Sequence, residues 1–525
     1  MIGVGDTRAF GSLAVLNVLG AAVSVVNTVL IAYIFGTGRA VEVYLAAIGL
    51  HASVSSLAQT GQVAEVLLPS YHAVRESRGR EEAYRAYTSL SNRFLLVLAC
   101  IAVLAWLLAP QLTRLRVPGF GPADIDLAMR MFRWIVPLAV IQVATELLRT
   151  LANAERLYGG PETVSVAARL VSLVVLALLA SPLGSWALVV ALWFGSVVEI
   201  LGIVRLLRRR DYRYRLLVHV PESARGISMF GTLGATLPYV GLTQLFLFTF
   251  DAALSQLPQG SFAVFRYASM IWSRTQGIFL RPVSIPFFTS FSESAARSLS
   301  TTVTLTENAL ARILAVTGIV TTAVLVGAQR VLTALWQGEK FPPEKIGMLV
   351  WLLAGMYVLL PVAGTATILR KASVSMHRIR QTYAALAAVQ VISTLLVFAL
   401  VPTLGLPGAL CVNALNMLGF VAAPLVALRA SGQSFRFRYP YDRAWRWVIA
   451  MAAGVLVGLG IDSAFARAGL GLAVSRPENL AIGCSTAAVG TCFALAASLI
   501  LKVPESRQLV GRITRIWRGR AHRDR

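Results

Sequence analysis

Three arginines, Arg266, Arg274 and Arg281, stand among apolar residues in the stretch 250–294, FDAALSQLPQGSFAVFRYASMIWSRTQGIFLRPVSIPFFTSFSES. A cation at bilayer depth costs on the order of 3 kcal/mol on insertion scales unless it faces water, protein or an anion. The spacing from Arg266 to Arg274 to Arg281 places all three, on a helix, within one broad stripe. A guanidinium is planar, carries several donors and stays charged at every relevant pH, which suits it to phosphate oxygens. The stripe is therefore expected to present its arginines to a diphosphate. The other reading of the same spacing lets Arg266 and Arg281 snorkel to opposite interfaces or pair with internal acids. Pro282 and Pro286 follow directly, and each removes a helical hydrogen bond. They are expected to act as a hinge beside the stripe, with a static kink as the alternative.

Acids and amides collect elsewhere. Glu42 is followed by His51, Gln59, Gln62 and Glu65, a polar run that lipid would leave unsatisfied and that reads as a cavity wall. Glu42 and His51 are expected to face substrate there; the alternatives are an interfacial Glu42 and a hydrogen-bonded packing role for His51. Asp251 closes LFLFTFDAAL, and a salt bridge to an arginine of the next helix is one reading of it. Glu146 and Arg149, three apart, can pair on one face, and Arg169 and Glu199 between helices, which would make that region structural. The four cysteines lie in apolar runs without metal-ligand spacing, so packing is expected of them and no metal site. Walker A, GxSxG and HExxH patterns are absent from the sequence. Covalent chemistry is not expected, and the chain reads as a transporter rather than an enzyme.

The elements that must position these residues are membrane helices. The 525 residues are 57% hydrophobic and 14% charged, with a mean hydropathy of +0.70. That composition excludes a soluble enzyme and defines an all-α polytopic membrane protein. A span needs about 20 largely apolar residues. On that rule fourteen transmembrane helices are predicted near 12–36, 41–70, 92–110, 126–150, 162–182, 185–206, 228–251, 261–289, 308–332, 346–369, 381–402, 405–428, 446–462 and 479–501. The second, fourth and eighth are weak by hydropathy because they carry several polar groups.

The net charge of +24 could point to nucleic acid, but Lys and Arg concentrate in alternate loops, as in 71–93 and 205–225, and in the tail. This is the positive-inside pattern, with anionic lipid headgroups as its contact, and no soluble module offers a nucleic-acid patch. Both termini are expected in the cytoplasm. The tail RQLVGRITRIWRGRAHRDR spaces Leu509, Ile513, Ile516 and Trp517 helically among arginines, giving an interfacial amphipathic helix or a disordered basic tail.

An internal repeat is legible. One constant shift superposes Pro69 on Pro286, Glu76 on Glu293 and Arg80 on Arg297, and a nearly equal shift pairs ELLRTLA at Arg149 with TILRKAS at Arg370. Two pseudo-symmetric six-helix lobes follow, 1–226 and 227–430, related by an axis along the membrane normal. Two further helices, 431–502, and the basic tail 503–525 fall outside the repeat.

Several motifs carry a family resemblance: IFGTG at 34–38 with Glu42 after it, LLPSYHAVRES at 67–77, and Pro118-Gly119-Phe120. Asp251, Leu254, Gly260, Tyr267-Ala268, Gly277-Ile278 and Pro286 follow in order. In these residues the chain resembles the MviN/MurJ group of lipid-linked-glycan flippases, within the multidrug/oligosaccharidyl-lipid/polysaccharide exporter superfamily. The resemblance implies two lobes around a central cavity that opens alternately to each side. It implies a polyprenyl-diphosphate-linked glycan, typically lipid II, as substrate and a lipid-tail groove formed by the last two helices. It also implies, as in some members, a monovalent coupling cation near Asp251, Na+ or H+; with no ATP-binding motif in the sequence, energy is expected from an ion gradient, the membrane potential or substrate supply.

The chain departs from the family at its arginines. The first helix reads Ala21-Ala22-Val23-Ser24-Val25-Val26-Asn27, Ser55 falls where a base is expected, and Met270 replaces the arginine of the family's Tyr-Ala-Asp-Arg. Only Glu42 and Asp251 carry over as polar family positions. The function expected is a flippase for an undecaprenyl-diphosphate-linked glycan precursor in the bacterial inner membrane, acting as a monomer and without a cofactor. The alternatives are a cation-coupled small-molecule efflux antiporter and a non-transporting scaffold. An antiporter for cations should expose acids, whereas the interior candidates here lean basic.

Overall fold

The computed structural model describes residues 4–58, 60–155, 157, 159–217, 229–295, 299–376, 378–429, 438–472, 474–501 and 503. Among them the regular structure is helical, with one isolated bridge between Gly338 and Phe341. The first series comprises α1 (Val4–Phe35), α2 (Arg39–Leu57), α3 (Thr60–Arg78), α4 (Arg80–Leu107) and the short α5 (Ala109–Arg116). It continues with α6 (Pro122–Ile135), α7 (Leu138–Ala154), α8 (Gly159–Leu183) and α9 (Trp186–Arg208). The second comprises α10 (Met229–Ser255), α11 (Ser261–Ala295), α12 (Leu299–Trp336), α13 (Pro343–Val358), α14 (Leu360–Ser375), α15 (Ile379–Leu404) and α16 (Leu406–Arg429). Two more, α17 (Arg438–Arg467) and α18 (Arg476–Ile500), complete the helices.

The repeat read from the sequence reappears in the helix boundaries. The starts of α2, α4, α6 and α7, at Arg39, Arg80, Pro122 and Leu138, recur as those of α11, α12, α13 and α14, at Ser261, Leu299, Pro343 and Leu360. The offset is nearly constant, and it brings α8 and α9 onto α15 and α16 as well. One interruption repeats too: α6 and α7 part at Pro137, and α13 and α14 part just before Pro361 with a bend of 40°. Proline supplies no N–H for the helical ladder, which accounts for both breaks. The copies differ in two places. The chain breaks between α2 and α3 and between α4 and α5, whereas α11 and α12 run unbroken.

Eleven helices among the described residues are long and apolar enough to cross a membrane, or twelve if the bent pair α13–α14 counts as one span. Fourteen is compatible with the helices present. α1 contributes only the shorter apolar stretch Leu19–Phe35 by that measure, and α11 falls below it. The reason in α11 is the same polar content that sets it apart in the sequence.

Packing divides the chain into two compact units, 1–263 with 394–406, and 264–393 with 407–525. α10 and the first turn of α11 thus pack with the first unit. Within it α8 lies on α9 and α1, α2 on α6, and α3 on α4. In the second unit α12 packs against α13, α14, α17 and α18. Gly327 and Gly483 let α12 and α18 approach closely, as small residues do between membrane helices. Arg330 of α12, 1% exposed, pairs with Asp462 and donates to Asn479 Oδ1 at 3.3 Å and to the Leu470 carbonyl at 2.9 Å. The C-terminal helices are thereby fastened to α12. Of the basic tail, all but Val503 lies outside the described residues.

Candidate functional site

One end of the first unit gathers residues that the motifs single out. Glu42, in the first turn of α2, pairs with Arg39 at 2.9 Å and is 1% exposed. Its Oε1 accepts the backbone N–H of Gly260 at 2.9 Å and of Ala263 at 3.2 Å. Those groups start α11, where N–H groups have no intrahelical acceptor and the helix carries partial positive charge. A carboxylate near the beginning of the chain therefore caps a helix that starts near its middle. Gly260 has φ 87°, a conformation that disfavours any side chain, and so it belongs to the motif for a physical reason.

Arg39 also reaches Asp124 at 3.6 Å and lies over the Phe120 ring at 4.5 Å, and Phe120 meets Phe262 edge-on at 5.8 Å. Gly119 donates its N–H to Ser255 Oγ at 3.1 Å, and its backbone lies so near the Ser255 carbonyl that a Cβ would overlap it. The 34–42 and 118–120 motifs thus meet in one latch on the start of α11. Glu42→Ala is expected to lower stability by about 1–2 kcal/mol, the scale of a lost helix cap. Thermal unfolding in detergent would show it, and Glu42→Gln, which keeps an acceptor, should recover part of the loss.

A buried ion pair adjoins the latch. Asp251 of α10 pairs with Arg116 of α5, each side chain 2% exposed. Arg116 also donates to Ser53 Oγ at 3.1 Å and lies over the Phe248 ring at 4.9 Å. Gly49 of α2 leaves room for it, since a Cβ there would come within 2.7 Å of Arg116 Nη2. The sequence offers Asp251 an arginine of α11 as partner; the structure pairs it with Arg116 of α5. A signal for that partner was present: Arg114 and Arg116 interrupt a nearly uncharged face just before the Pro118-Gly119-Phe120 motif. A monovalent cation at Asp251 would have to share its carboxylate with that guanidinium.

His51 is 3% exposed and its Nε2 lies 3.0 Å from Gln142 Oε1, while Gln142 Nε2 donates to Ser196 Oγ at 3.4 Å. This chain ties α2 to α7 and α9. Glu42 and His51, expected on a cavity wall, thus have protein partners and little exposure. Gln59 and the side chains of Gln62 and Glu65 lie outside the described residues.

On α11, Arg266 is partly buried and Arg274 is exposed. The side chains of Arg281, Pro282 and Pro286 lie outside the described residues, although the backbone there is helical. Thr275 Oγ1 lies 2.5 Å from the Tyr357 hydroxyl, and the Trp272 and Tyr357 rings meet edge-on at 5.5 Å, which fixes the face of α11 turned to α13. At about 100° per residue, Arg274 stands about 100° from Thr275 and about 160° from Trp272, off that packed face.

The other end of the first unit is basic. Glu155, just after α7, accepts hydrogen bonds from Tyr71, from Arg80 at 2.7 Å and from Arg75 at 3.3 Å. Burial pushes its carboxyl up, but the Tyr71 hydroxyl and the two guanidinium groups outweigh burial and hold it below the usual range. A depressed carboxylate contributes stability that is complete above its unfolded value, about 4.3, and is lost as pH falls through the lower folded value. Melting temperature is expected to fall as pH drops below about 4, and Glu155→Gln to flatten that dependence; thermal melts from neutral to acid pH check both.

Nearby, Arg149 pairs with Glu199 at 2.5 Å and with Glu146 at 3.4 Å. Arg169, set against Glu199 from the sequence, instead donates to the Gly20 carbonyl at 2.8 Å. These ties are structural.

Repeated helical halves and helices of spanning length define the class: an all-α polytopic membrane protein. The family described as "Lipid II flippase MurJ" matches residues 31–475. The chain belongs to that family, whose members are transporters of lipid-linked precursors rather than enzymes. Among solved structures, it is similar to lipid II flippase MurJ in an inward closed conformation, at TM-score 0.71 and 14% identity over 95% of this chain and 99% of that one. An outward-facing multidrug resistance MATE family transporter gives TM-score 0.57 and 16% identity over 81% and 95% of the two chains. A MOP superfamily transporter from Pyrococcus furiosus, described as having a binding pocket of reverse polarity, gives 0.54 and 16% over 82% and 95%. At these identities the likeness is one of fold. No curated protein matches.

Proposed function

We propose that the protein moves a polyprenyl-diphosphate-linked glycan, lipid II or a close relative, across the bacterial inner membrane by alternating access. The single observation that carries this reading is the family match across 31–475. The repeat and the broken helices at Pro137 and Pro361 support a mechanism in which helices bend at fixed points. Glu42, by capping the first turn of α11, stabilises one state, and release of that cap frees α11 to move.

The diphosphate is bound by arginines of α11, with Arg274 foremost and Arg266 and Arg281 beside it. Met270 stands where the family carries an arginine, and Arg274 lies one turn further along the same face. Pro282 and Pro286 let α11 bend next to the bound headgroup. The basic end of the first unit lies in the cytoplasm, as do both termini, and the latch lies on the opposite side. An ion gradient or the membrane potential drives the cycle, with Asp251 as the carboxylate a coupling cation would meet. The protein works as a monomer among membrane lipids.

Depleting the protein and measuring lipid-linked precursor on the cytoplasmic leaflet tests this. Accumulation there is the expected result. No accumulation of any such precursor would overturn the reading.

A further inference from the structure

The segment after α9, Asp211-Tyr212-Arg213-Tyr214-Arg215, alternates charge with tyrosine, and the structure gives that alternation a purpose. The chain turns at Asp211, which has φ 63°, and runs back along α4, to which it is tied at Thr88 and Asn92. Both tyrosines bond to α4: Tyr212 is buried with its hydroxyl 3.0 Å from Thr88 Oγ1, and Tyr214, though half exposed, donates to Asn92 Oδ1 at 2.9 Å. Asn92 Nδ2 returns hydrogen bonds to the carbonyls of Arg215 at 3.1 Å and Leu217 at 3.0 Å. Arg213 and Arg215 are exposed and have no acidic partner among the described residues.

Two hollows adjoin this segment. The first, about 360 Å³, is walled by Arg80, Arg85, Arg213 and Arg215 against Glu81 and Asp211. Glu81 is already paired with Arg85 at 2.8 Å, and Arg80 with Glu155. The second, about 270 Å³, shares Thr88 with the first and takes in Tyr214, next to Arg215. Its lining is mainly apolar, with Leu95, Leu147, Leu148, Ile200 and Val204, and also includes Ser91, Asn92 and Arg208. Along α4 the lining passes from Arg80 through Tyr84 and Thr88 to Asn92 and Leu95, about 22 Å of helix at about 1.5 Å per residue. A basic pocket therefore leads, along one helix face, into an apolar recess between α4, α7 and α9.

We propose that these paired hollows form a lipid site separate from α11, taking the phosphate headgroup of an anionic phospholipid among the arginines and one of its hydrocarbon chains in the recess. The graded lining fits an amphiphile; a soluble anion would leave the recess unexplained. Anionic lipids surround membrane proteins on their basic face, where each arginine near the surface adds to the attraction. The tyrosines that roof the recess and the arginines that hold the headgroup belong to one segment, so an occupied site braces the 211–217 segment against α4.

The test uses the full-length protein in uncharged detergent, with its melting temperature followed as phosphatidylglycerol, phosphatidylcholine of the same chains, or inorganic phosphate is added. Phosphatidylglycerol is expected to raise the melting temperature to a plateau at concentrations where the other two do not. Arg213→Ala with Arg215→Ala should leave the lipid-free melting temperature in place, because both side chains are exposed and unpaired with acids. The same double substitution should raise the half-saturating lipid concentration roughly 30-fold, the factor two surface arginines supply. Leu148→Trp, which fills the recess, should weaken phosphatidylglycerol as well. An equal effect from inorganic phosphate would show a soluble-anion site and overturn the lipid assignment. An equal effect from phosphatidylcholine, or saturation unchanged by the arginine substitutions, would overturn the headgroup site.

Discussion

Asp251→Ala is expected to destabilise the protein by about 3–5 kcal/mol, because it leaves the buried Arg116 guanidinium without the carboxylate that offsets its charge. Both side chains are 2% exposed, so solvent screening gives little relief. Arg116→Ala should cost a similar amount by removing the buried counterion of the carboxylate. The informative variant is the double one, Arg116→Met with Asp251→Leu: apolar residues of similar size offset the desolvation cost of the pair, and most of the stability should return. A double-mutant cycle from unfolding in detergent measures the coupling directly. Two single losses that simply add would show that the pair does not interact as the geometry implies. Transport in the double variant then separates structure from coupling: a stable protein that no longer responds to an ion gradient would place the coupling cation at Asp251.

Arg274→Ala carries the second large effect. If this arginine holds the diphosphate, its truncation removes about 2–5 kcal/mol of headgroup binding, roughly a 30- to 4,000-fold loss, which in practice abolishes transport at unchanged expression. Arg274 stands off the face of α11 that packs on Tyr357, so the substitution leaves the Trp272 and Thr275 contacts in place. Arg274→Lys keeps the charge but loses the planar fork, and should restore only part of the activity. Unchanged transport in Arg274→Ala would remove this residue from the site.

The large-scale architecture was legible because it depends on features a single sequence carries well. Apolar runs of about 20 residues marked the spanning segments, and the echoes at Pro69 and Arg149 marked a repeat that recurs in the helix boundaries. The break within 41–70 was not legible, since HASVSSLAQT contains no proline and the helix ends there all the same. The partners of the charged residues were harder still. Helical period places Glu42 and Asp251 on a face, but it does not say which distant segment meets that face. Glu42 proved to serve the start of α11, and Asp251 to serve Arg116, through contacts between segments far apart in the chain. In the same way DYRYR reads as charge until the fold shows its tyrosines bonded to Thr88 and Asn92 and its arginines lining a hollow.

Carriage of a diphosphate-linked lipid from one leaflet to the other can be watched in a purified system. The protein is reconstituted in liposomes containing a fluorescent polyprenyl-diphosphate glycan, and loss of the glycan from one leaflet is followed with an impermeant quencher. Protein-dependent transbilayer movement that Arg274→Ala abolishes is the expected result. Movement no faster than in protein-free liposomes, under an ion gradient and a membrane potential of either sign, would contradict the flippase reading.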